Sequence, residues 1–397
     1  MRGLSLLLLL LAALVQAASA FHRGAFNALR AQQQHALLMT ESTGQPFKTE
    51  PDVALYSHVK VAIFGGGAFS LAMAKVLSYK NITTTLLVRQ QSVADHINEK
   101  HYHPKYLPDS LLPPQVRATA DPAEALLGSN YCIHAVPMQQ SRAFLTSIKP
   151  WLPSTVPILS VTKGVEQGTF SLMNDIIVET LGPQQRAAFL SGPSFAKEIM
   201  NGEATAVVIA SEEAELAKEI AEMMSSVEFR CHTSGDVKGV ELGGAVKNVV
   251  ALAAGMCEGL DLGMNAMSSL VTRGVMEMTS MGMLFGADRE TFAGLAGVGD
   301  TFGTCLGPLS RNRQVGYRLA KGEALQDILD TLDGVSEGVN TVLALEQLLK
   351  TKVRANVFEF KFPIIAGVAQ IIKGNISPRF GLNLLMRYPV RDENRGR

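Results

Sequence analysis

The 397-residue sequence contains few cysteines, a single tryptophan and no surplus of charge of either sign. Its cysteines, Cys132, Cys231, Cys257 and Cys305, are far apart and form no C-x-x-C pair, so neither a disulfide framework nor a zinc site is indicated. Lysine plus arginine and aspartate plus glutamate number 36 each, without a long basic run, which argues against a nucleic-acid partner. We therefore expect a small-molecule partner, and no nucleic acid or metal.

The amino-acid composition is that of a globular protein, with 47% hydrophobic and 18% charged residues. From Val59 to about Cys231, short β-rich runs alternate with helical ones, which predicts parallel βαβ units. The predicted strands are Val59–Phe64, Thr83–Val88, Tyr131–Val136, Pro157–Val161, Ala187–Ser191 and Thr205–Ala210. After Asp236 the pattern is helical as far as Arg387. We predict a Rossmann-type, doubly wound α/β domain at residues 57–232 and an all-α domain at 233–390.

The N-terminus carries a targeting pattern. Residues 1–20 combine one arginine, an apolar run and a final A-S-A, as in a secretory signal peptide rather than a membrane span. Residues 21–56 begin with Phe21, contain no acidic residue before Glu41, and are expected to be an unstructured transit-like segment. Together they resemble a bipartite plastid presequence, which suits cysteines kept reduced. The alternative is an ordinary secreted protein.

A glycine-rich turn follows the first predicted strand. In "GGGAFS", Gly65 and Gly67 occupy the first two positions of G-x-G-x-x-G, and Ser70 replaces the third glycine. The first glycine permits a tight turn, and the second lets a pyrophosphate approach the free N–H groups of the next helix. Between a strand and a helix this motif predicts dinucleotide binding. The acidic residue expected after the second strand is absent, and Arg89 stands there, so both NAD(H) and NADP(H) fit.

Lys247 lies in the middle of an almost entirely apolar helical stretch, "GVELGGAVKNVVALAAG". At about 100° per residue, Gly243, Gly244 and Ala251 share its face. Interior glycines cost roughly 1 kcal/mol each, so some group is expected to come close to the backbone there. The residues alone leave three explanations open: a bound ligand, a surface lysine on a glycine-tolerant helix, or close helix packing with the lysine reaching water. Together with the resemblance described below, they lead us to expect cofactor and substrate at this strip.

Several ordered motifs together resemble the NAD(P)-dependent glycerol-3-phosphate dehydrogenases over about Val59 to Arg387. They are "GGGAFS", "YLPDSLLP", "AVPMQQSR", "VTKGVEQGT", "SGPSFAKEI", "DVKGVELGGAVKNVVALAAG", "GLAGVGDTFGTC", "SRNRQVG" and "SEGVNT". The resemblance implies hydride transfer between NAD(P)H and dihydroxyacetone phosphate to give sn-glycerol 3-phosphate, for glycerolipid or glycerol synthesis. It also implies a second domain similar to the C-terminal domain of 6-phosphogluconate dehydrogenase, and a homodimer.

The resemblance also implies roles for individual residues. Lys247 is the implied acid/base, and the implied catalytic set is Lys247, Lys163, Asp300, Asn248 and Thr304. The implied substrate-binding residues are Lys163, Gly192, Ser194, Lys247, Asp300, Ser310, Arg311 and Asn312. The implied cofactor-binding residues are Gly65, Gly66, Gly67, Ala68, Phe69, Ser70, Arg89, Lys163, Ala196, Arg311 and Glu337.

These residue types suit ketone reduction independently of the resemblance. A lysine ammonium can stabilise the negative charge that grows on a carbonyl oxygen and can then protonate it. A guanidinium beside an amide and a hydroxyl, as in "SRN", is a good clamp for a phosphate dianion.

Two departures and two alternatives accompany this interpretation. Ser70 replaces a glycine, and "CLGPL" replaces a more polar segment before "SRN", which affects cofactor affinity and loop shape. A related 3-hydroxyacid or 6-phosphogluconate-type dehydrogenase would have the same domain order, but "SRNR" after "GVGD" argues against it. A nucleotide-sensing protein without catalysis is disfavoured by the intact Lys247, Asp300 and Arg311.

Overall fold

Eight strands form one sheet in the first part of the chain that the computed structural model describes, residues 56–332 and 334–387. In chain order they are β1 (Lys60–Phe64), β2 (Thr83–Leu87), β3 (Val116–Thr119), β4 (Tyr131–His134), β5 (Ile158–Ser160), β6 (Ala187–Ser191), β7 (Thr205–Ala210) and β8 (Phe229–Ser234). They lie in the order β3-β2-β1-β4-β5-β6-β7-β8. The predicted signal peptide and residues 21–55 of the transit-like segment lie outside the described residues.

Helices connect the strands and then continue alone. Those between strands are α1 (Ala68–Ser78), α2 (Gln91–Lys100), α3 (Pro122–Leu126), α4 (Met138–Ile148), α5 (Met173–Leu181), α6 (Ala196–Met200) and α7 (Ala214–Met224). After β8 come α8 (Val237–Gly259), α9 (Gly263–Leu284), α10 (Arg289–Ala293), a π-helical turn (Leu295–Gly299), α11 (Asp300–Leu306), α12 (Arg311–Ala320), α13 (Leu325–Thr331), α14 (Glu337–Lys352), α15 (Ala355–Lys361), α16 (Pro363–Ile372) and α17 (Pro378–Met386). The predicted fold class, an α/β sheet followed by helices, is confirmed.

The register of the central strands brings their carboxyl ends to one edge of the sheet. Phe64 at the end of β1 pairs with Leu87 of β2 and with His134 of β4. The strand order reverses between β1 and β4, which is where open α/β sheets bind their ligands. Neighbouring residues of β1 face opposite ways, since Ile63 and Phe64 belong to different hydrophobic clusters.

Two strands were not predicted, β3 and β8, and both lie at an edge of the sheet. Both contain exposed residues among buried ones, with Arg117 and Arg230 facing solvent. Apolar runs instead predict strands that are buried on both faces. An edge strand has the weaker, alternating pattern.

One pair of neighbours, β6 and β7, is antiparallel, where only parallel pairing was expected. The connection between them contains one short helix, α6, of 5 residues. At 1.5 Å per residue such a helix is too short to carry the chain back along a strand, as a parallel crossover requires. The chain therefore enters β7 from the end at which β6 finishes.

The apolar stretch that contains Lys247 forms α8, a 23-residue helix that is buried almost throughout. Within the described residues it is the one helix whose length and hydropathy would suit a membrane span, and 94% of that window is buried inside the fold. Val237 and Val240 pack in the same cluster as Phe64 and Phe189 of the sheet. The division into domains at residues 232 and 233 stays a prediction.

Protein atoms, not open space, lie against the glycines of α8. A Cβ at Gly243 would stand 2.5 Å from the carbonyl oxygen of Ala296, and one at Gly244 would stand 2.9 Å from Ser191 Oγ and 3.2 Å from Lys163 Cγ. Farther along, a Cβ at Gly255 would collide with the carbonyl of Arg313 in α12. The expectation that ligands require these small residues is therefore wrong. Close packing of the π-helical turn, Lys163 and α12 requires them.

Candidate active site

Two lysines meet on one buried carboxylate. Lys247 Nζ donates to Asp300 Oδ1 at 2.7 Å, and Lys163 Nζ donates to Asp300 Oδ2 at 2.6 Å. Lys163 follows β5, Lys247 lies in the middle of α8, and Asp300 opens α11 directly after the π-helical turn. Only 9% of Lys247 and 2% of Asp300 are exposed. Three residues of the implied catalytic set, which come from three separate motifs, thus form one charged cluster.

The cluster contains two basic side chains and one acidic side chain, close enough for their charges to affect one another. Burial alone would raise the pKa of Asp300, but the ammonium groups of Lys163 and Lys247 hold it below its ordinary value. Burial, aided by the charge of Lys247, lowers the pKa of Lys163 to about 8 despite the opposing effect of Asp300. With both lysines protonated, the cluster carries a net positive charge that favours an anionic ligand or a developing oxyanion.

Lys247 retains a hydrogen for a ligand. It donates to Thr304 Oγ1 at 2.8 Å as well as to Asp300, and Thr304 Oγ1 lies 3.2 Å from Asp300 Oδ1. Within the described part of the chain these bonds use two of the three ammonium hydrogens. The side chain is therefore held in place with one N–H still available.

The loop after β6 closes the other side of the cluster. The carbonyl of Gly192 accepts a hydrogen bond from Lys163 Nζ at 3.3 Å and another from Ser194 Oγ at 2.9 Å. Gly192 has φ of +134°, and a Cβ there would lie 2.9 Å from Val207 Cα. Only glycine suits that position, because it needs both a left-handed backbone and close approach to β7.

A chain of amides joins three helices next to Lys247. Asn312 Nδ2 of α12 donates to Asn248 Oδ1 of α8 at 2.8 Å. Asn312 Oδ1 accepts from Ser336 Oγ at 2.7 Å and from the Gly338 N–H of α14 at 3.0 Å. The predicted phosphate contact of Asn312 therefore has one amide hydrogen left to use. Ser336 and Gly338 were missed from sequence as partners, although "SEGVNT" contains both.

The remaining residues of the "SRN" motif begin α12. Ser310 is its N-cap, and its Oγ accepts the N–H of Arg313 at 3.2 Å, which leaves the hydroxyl hydrogen for another acceptor. Arg311 is exposed and donates from Nη1 to the carbonyl of Val335 at 3.2 Å. A helix N-terminus with a hydroxyl and a guanidinium is a suitable phosphate site.

Glu337 begins α14 and faces α4. Its Oε1 accepts the N–H of Met138 at 3.2 Å, and its Oε2 is buried and has no hydrogen-bond partner among the residues that the structure describes. Burial raises the pKa of Glu337 to about 7, against the N–H of Met138 and the charge of Arg311. A buried carboxyl oxygen that has no partner within the described residues, at the carboxyl edge of the sheet, fits the implied role of Glu337 in cofactor binding.

The glycine turn has the geometry that a dinucleotide needs. Gly65 has φ of +111°, and a Cβ there would approach the carbonyl oxygen of Ala135 to 3.0 Å. Within the described residues, no atom lies within 4 Å of such a Cβ at Gly67, and α1 starts at Ala68 without a side-chain cap. A pyrophosphate can therefore approach the backbone at Gly67, next to the uncapped N–H groups at the start of α1. The residues present fit an NAD(H) or NADP(H) cofactor.

The other predicted cofactor residues surround this turn. Ser70 is buried, as the third position of the fingerprint requires. Phe69 and Ala196 are partly buried and pack against the hydrophobic cluster that contains Ile63 of β1. The helix α6 therefore lies beside the turn. Arg89 is exposed after β2. A Cβ at Gly66 would lie 3.0 Å from Cγ1 of Val88, the residue after β2, and 3.6 Å from Nε2 of His103, which is not among the implied cofactor residues.

An ion pair that was not predicted anchors the Lys163 turn. Arg142 donates from Nε and Nη2 to the carboxylate of Glu166, at 2.9 Å to Oε1 and 2.7 Å to Oε2. Thr162 Oγ1, next to Lys163, donates to the carbonyl of Val136 at 2.7 Å. Arg142 lies in the motif "AVPMQQSR" and Glu166 in "VTKGVEQGT". The joint presence of these two motifs is therefore the sequence signal for this ion pair. The described residues contain no His, Cys, Asp and Glu cluster suited to a metal ion, and the four cysteines are buried free thiols.

Comparisons with known proteins agree on one family. Residues 60–217 match the model of the NAD-dependent glycerol-3-phosphate dehydrogenase N-terminus, and residues 236–383 match that of its C-terminus. The chain is 42% identical over 337 residues to a chloroplastic NAD(+) glycerol-3-phosphate dehydrogenase of Arabidopsis thaliana, covering 84% of this chain and 79% of that one. It is 40% identical over 336 residues to the NAD(P)+ enzyme of Oleidesulfovibrio alaskensis, covering 84% of this chain and 100% of that one.

A solved structure is similar over the same region. The crystal structure of glycerol-3-phosphate dehydrogenase from Coxiella burnetii superposes with a TM-score of 0.78 at 30% identity, and the match covers 83% of this chain and 99% of that one. The similarity therefore extends over both the sheet and the helices that carry the charged cluster.

Proposed function

Because this chain belongs to the NAD-dependent glycerol-3-phosphate dehydrogenase family, we propose that the cluster of Lys163, Lys247 and Asp300 is its catalytic centre. The protein is an oxidoreductase that interconverts dihydroxyacetone phosphate and sn-glycerol 3-phosphate with NAD(H) or NADP(H). The observation that carries the proposal is the meeting of two ammonium groups on one buried carboxylate.

Lys247 is the proposed proton donor in the direction of reduction. Asp300 and Thr304 hold its ammonium by two hydrogen bonds, and the third N–H points to the substrate carbonyl oxygen. As negative charge grows on that oxygen, the net positive cluster stabilises it, and one ammonium proton then moves from Nζ to the oxygen. In the reverse direction the neutral amine takes the hydroxyl proton back.

Lys163 and Asp300 have supporting roles in this proposal. Asp300 balances one of the two positive charges and orients both ammonium groups, because each of its oxygens accepts from a different lysine. Lys163, fixed also by the Gly192 carbonyl, donates to the substrate from the side of β5. Asn248 aligns α8 with α12 through Asn312.

The substrate phosphate is assigned to the start of α12. Ser310 supplies a hydroxyl, Arg311 a guanidinium and Asn312 its second amide hydrogen, all beside the positive end of the helix dipole. Binding of the phosphate there orients the carbonyl toward Lys247, so that remote binding energy supports the chemical step.

The cofactor is assigned to the turn Gly65 to Ser70 at the carboxyl edge of the sheet. When bound, its nicotinamide supplies or accepts the hydride. The N–H groups at the start of α1 would hold the pyrophosphate, and exposed Arg89, after β2, would meet the adenosine end. Glu337, whose Oε2 has no partner within the described residues, would meet the nicotinamide end, and Arg311 and Ala196 are the other proposed cofactor contacts.

The test is an assay of residues 52–397, purified without the presequence, with dihydroxyacetone phosphate and either NADH or NADPH. We expect loss of absorbance at the reduced-nicotinamide band with at least one cofactor. No oxidation of either cofactor, by protein that is folded by circular dichroism, contradicts the proposed function.

The oligomeric state and the cellular location complete the proposal. The resemblance favours a homodimer, which light scattering after size-exclusion chromatography tests directly. The chloroplastic names of the relatives from Arabidopsis thaliana and Oryza sativa, together with the sequence of residues 1–56, support delivery to a plastid.

A further inference from the structure

The loop after α2 places an imidazole against the glycine turn. His103 is 6% exposed, and a Cβ at Gly66 would lie 3.6 Å from its Nε2 and 3.0 Å from Val88 Cγ1. Val88 immediately precedes Arg89, so the imidazole stands where the glycine turn meets the end of β2. No metal or catalytic role suggested by the sequence accounts for this placement.

The other ring nitrogen fixes the orientation and the tautomer. Nδ1 of His103 accepts two backbone N–H groups, those of Lys105 and Tyr106, each at 3.0 Å. A nitrogen that faces two donors must present its lone pair, so the hydrogen of the neutral ring is on Nε2. Burial, with His96 and Lys105 nearby, lowers the pKa of His103 and keeps the ring neutral. The result is a rigid N–H donor beside Gly66.

We propose that His103 is a further cofactor-binding residue, whose Nε2 donates a hydrogen bond to a phosphate oxygen of the dinucleotide at the Gly66 turn. The inference rests on the proposed placement of the cofactor on this turn. Phosphate oxygens of a dinucleotide come to this region at two places, the pyrophosphate at the glycine turn and, in NADP(H), the 2′-phosphate at the end of β2. Both offer the same charged acceptor to an N–H donor.

The choice of donor has a physical advantage here. The loop His103 to Tyr106 locks the ring by its own backbone, so little side-chain entropy is lost when the phosphate binds. A Cβ at Gly66 would lie only 3.0 Å from Val88 Cγ1 but at an ordinary contact distance, 3.6 Å, from the imidazole, so a glycine here keeps the space beside Nε2 uncrowded. The imidazole thus adds a side-chain N–H donor next to the glycine turn.

Two substitutions separate the two ring nitrogens. His103→Asn keeps an acceptor where Nδ1 bonds Lys105 and Tyr106 but removes the distal N–H. His103→Gln keeps a distal N–H and loses the acceptor for the loop. His58→Asn, at an exposed histidine, is the matched control. Affinity for NADH and for NADPH is measured by isothermal titration calorimetry, and thermal unfolding reports the effect on the fold.

We expect His103→Asn to weaken cofactor binding about tenfold with an unchanged unfolding midpoint, and His103→Gln to weaken it less. Equal losses for NADH and NADPH assign the pyrophosphate, and a loss for NADPH alone assigns the 2′-phosphate. Affinities of His103→Asn within twofold of the unchanged protein for both cofactors, or a larger loss in His103→Gln, overturn the inference and leave a purely structural histidine. Failure of the unchanged protein to bind either cofactor would instead contradict the proposed function.

Discussion

Lys247 and Lys163 donate to different oxygens of Asp300, at 2.7 and 2.6 Å, so one carboxylate fixes both ammonium groups in a buried site. Two buried ammonium groups require such a counter-charge, because an unpaired charge in the interior is strongly destabilising. The carboxylate itself stays ionised because both cations hold its pKa low. Both the stability of the fold and the proposed catalysis therefore depend on the same three side chains.

Replacing Lys247 should abolish proton delivery without loss of cofactor binding. We expect Lys247→Ala to lower kcat by roughly 10²–10⁴-fold, because general acid catalysis contributes that much. The dissociation constant for NADH should change little. Lys238→Ala, an exposed lysine in the first turn of the same helix, is the control and should retain full activity. A Lys247→Ala variant with near-normal kcat would falsify the proposed mechanism.

Replacing Asp300 should destabilise the fold more than a surface change does. Asp300→Asn leaves two buried ammonium groups without their counter-charge, which should reduce the free energy of unfolding by about 3–5 kcal/mol. Asp261→Asn breaks the exposed pair with Lys321 and should change it by less than about 1 kcal/mol. Urea denaturation of both variants measures the difference. Equal effects of the two substitutions would contradict the electrostatic role of Asp300.

Arg311 should matter for the phosphate end of the substrate. Arg311→Ala should raise the KM for dihydroxyacetone phosphate by about 10–100-fold, because a charge-assisted hydrogen bond is lost. Arg313, in the same helix, pairs with Glu258 instead, so Arg313→Ala should leave the KM nearly unchanged. Steady-state kinetics at saturating NADH separates the two. A KM unaffected by Arg311→Ala would remove this residue from the phosphate site.

Buried Glu277 should make the stability of the fold depend on pH. Its carboxylate accepts the N–H groups of Ile364 and Ile365 at the start of α16, and burial raises its pKa from 4.5 to about 8. A raised folded-state pKa stabilises the fold fully below the unfolded value and less as pH rises through the folded value. Wild-type stability should therefore fall between about pH 4.5 and pH 8, by an amount on the order of a few kcal/mol.

The Glu277→Gln variant tests this dependence, since a glutamine cannot ionise. Thermal unfolding midpoints from pH 5 to 8 should fall less steeply for Glu277→Gln than for the unchanged protein. Glu215→Gln, at an exposed position, should follow the unchanged protein at every pH. Parallel curves for the unchanged protein and Glu277→Gln would show that Glu277 does not titrate in this range.

The presequence hypothesis can be tested apart from the enzyme. A fluorescent reporter fused behind residues 1 to 51 should reach the plastid in cells with secondary plastids, and Phe21→Ala should divert it to the secretory route. Residues 1 to 20 alone should lead only to secretion. Delivery of the longer fusion to the medium would favour the alternative of an ordinary secreted protein.

The sequence by itself determined the elements with strong local signals. The apolar runs predicted the strands β1, β2 and β4 to β7, and the spacing of Gly65 and Gly67 between a strand and a helix predicted the nucleotide turn. The edge strands β3 and β8 were not predicted, because exposed residues interrupt their apolar pattern. The catalytic candidates were found only through the resemblance, since a lysine in an apolar helix has no unique meaning on its own.

Tertiary structure decided how these residues are used. Sequence alone suggested that Gly243 and Gly244 leave room for ligands, whereas Ala296 and Lys163 fill that space. It also could not show that Lys163 and Lys247 share one carboxylate, or turn His103 toward Gly66, because such contacts join segments far apart in the chain. Local propensity is a property of neighbours in sequence, while the charge balance at Asp300 exists only when β5, α8 and α11 pack together.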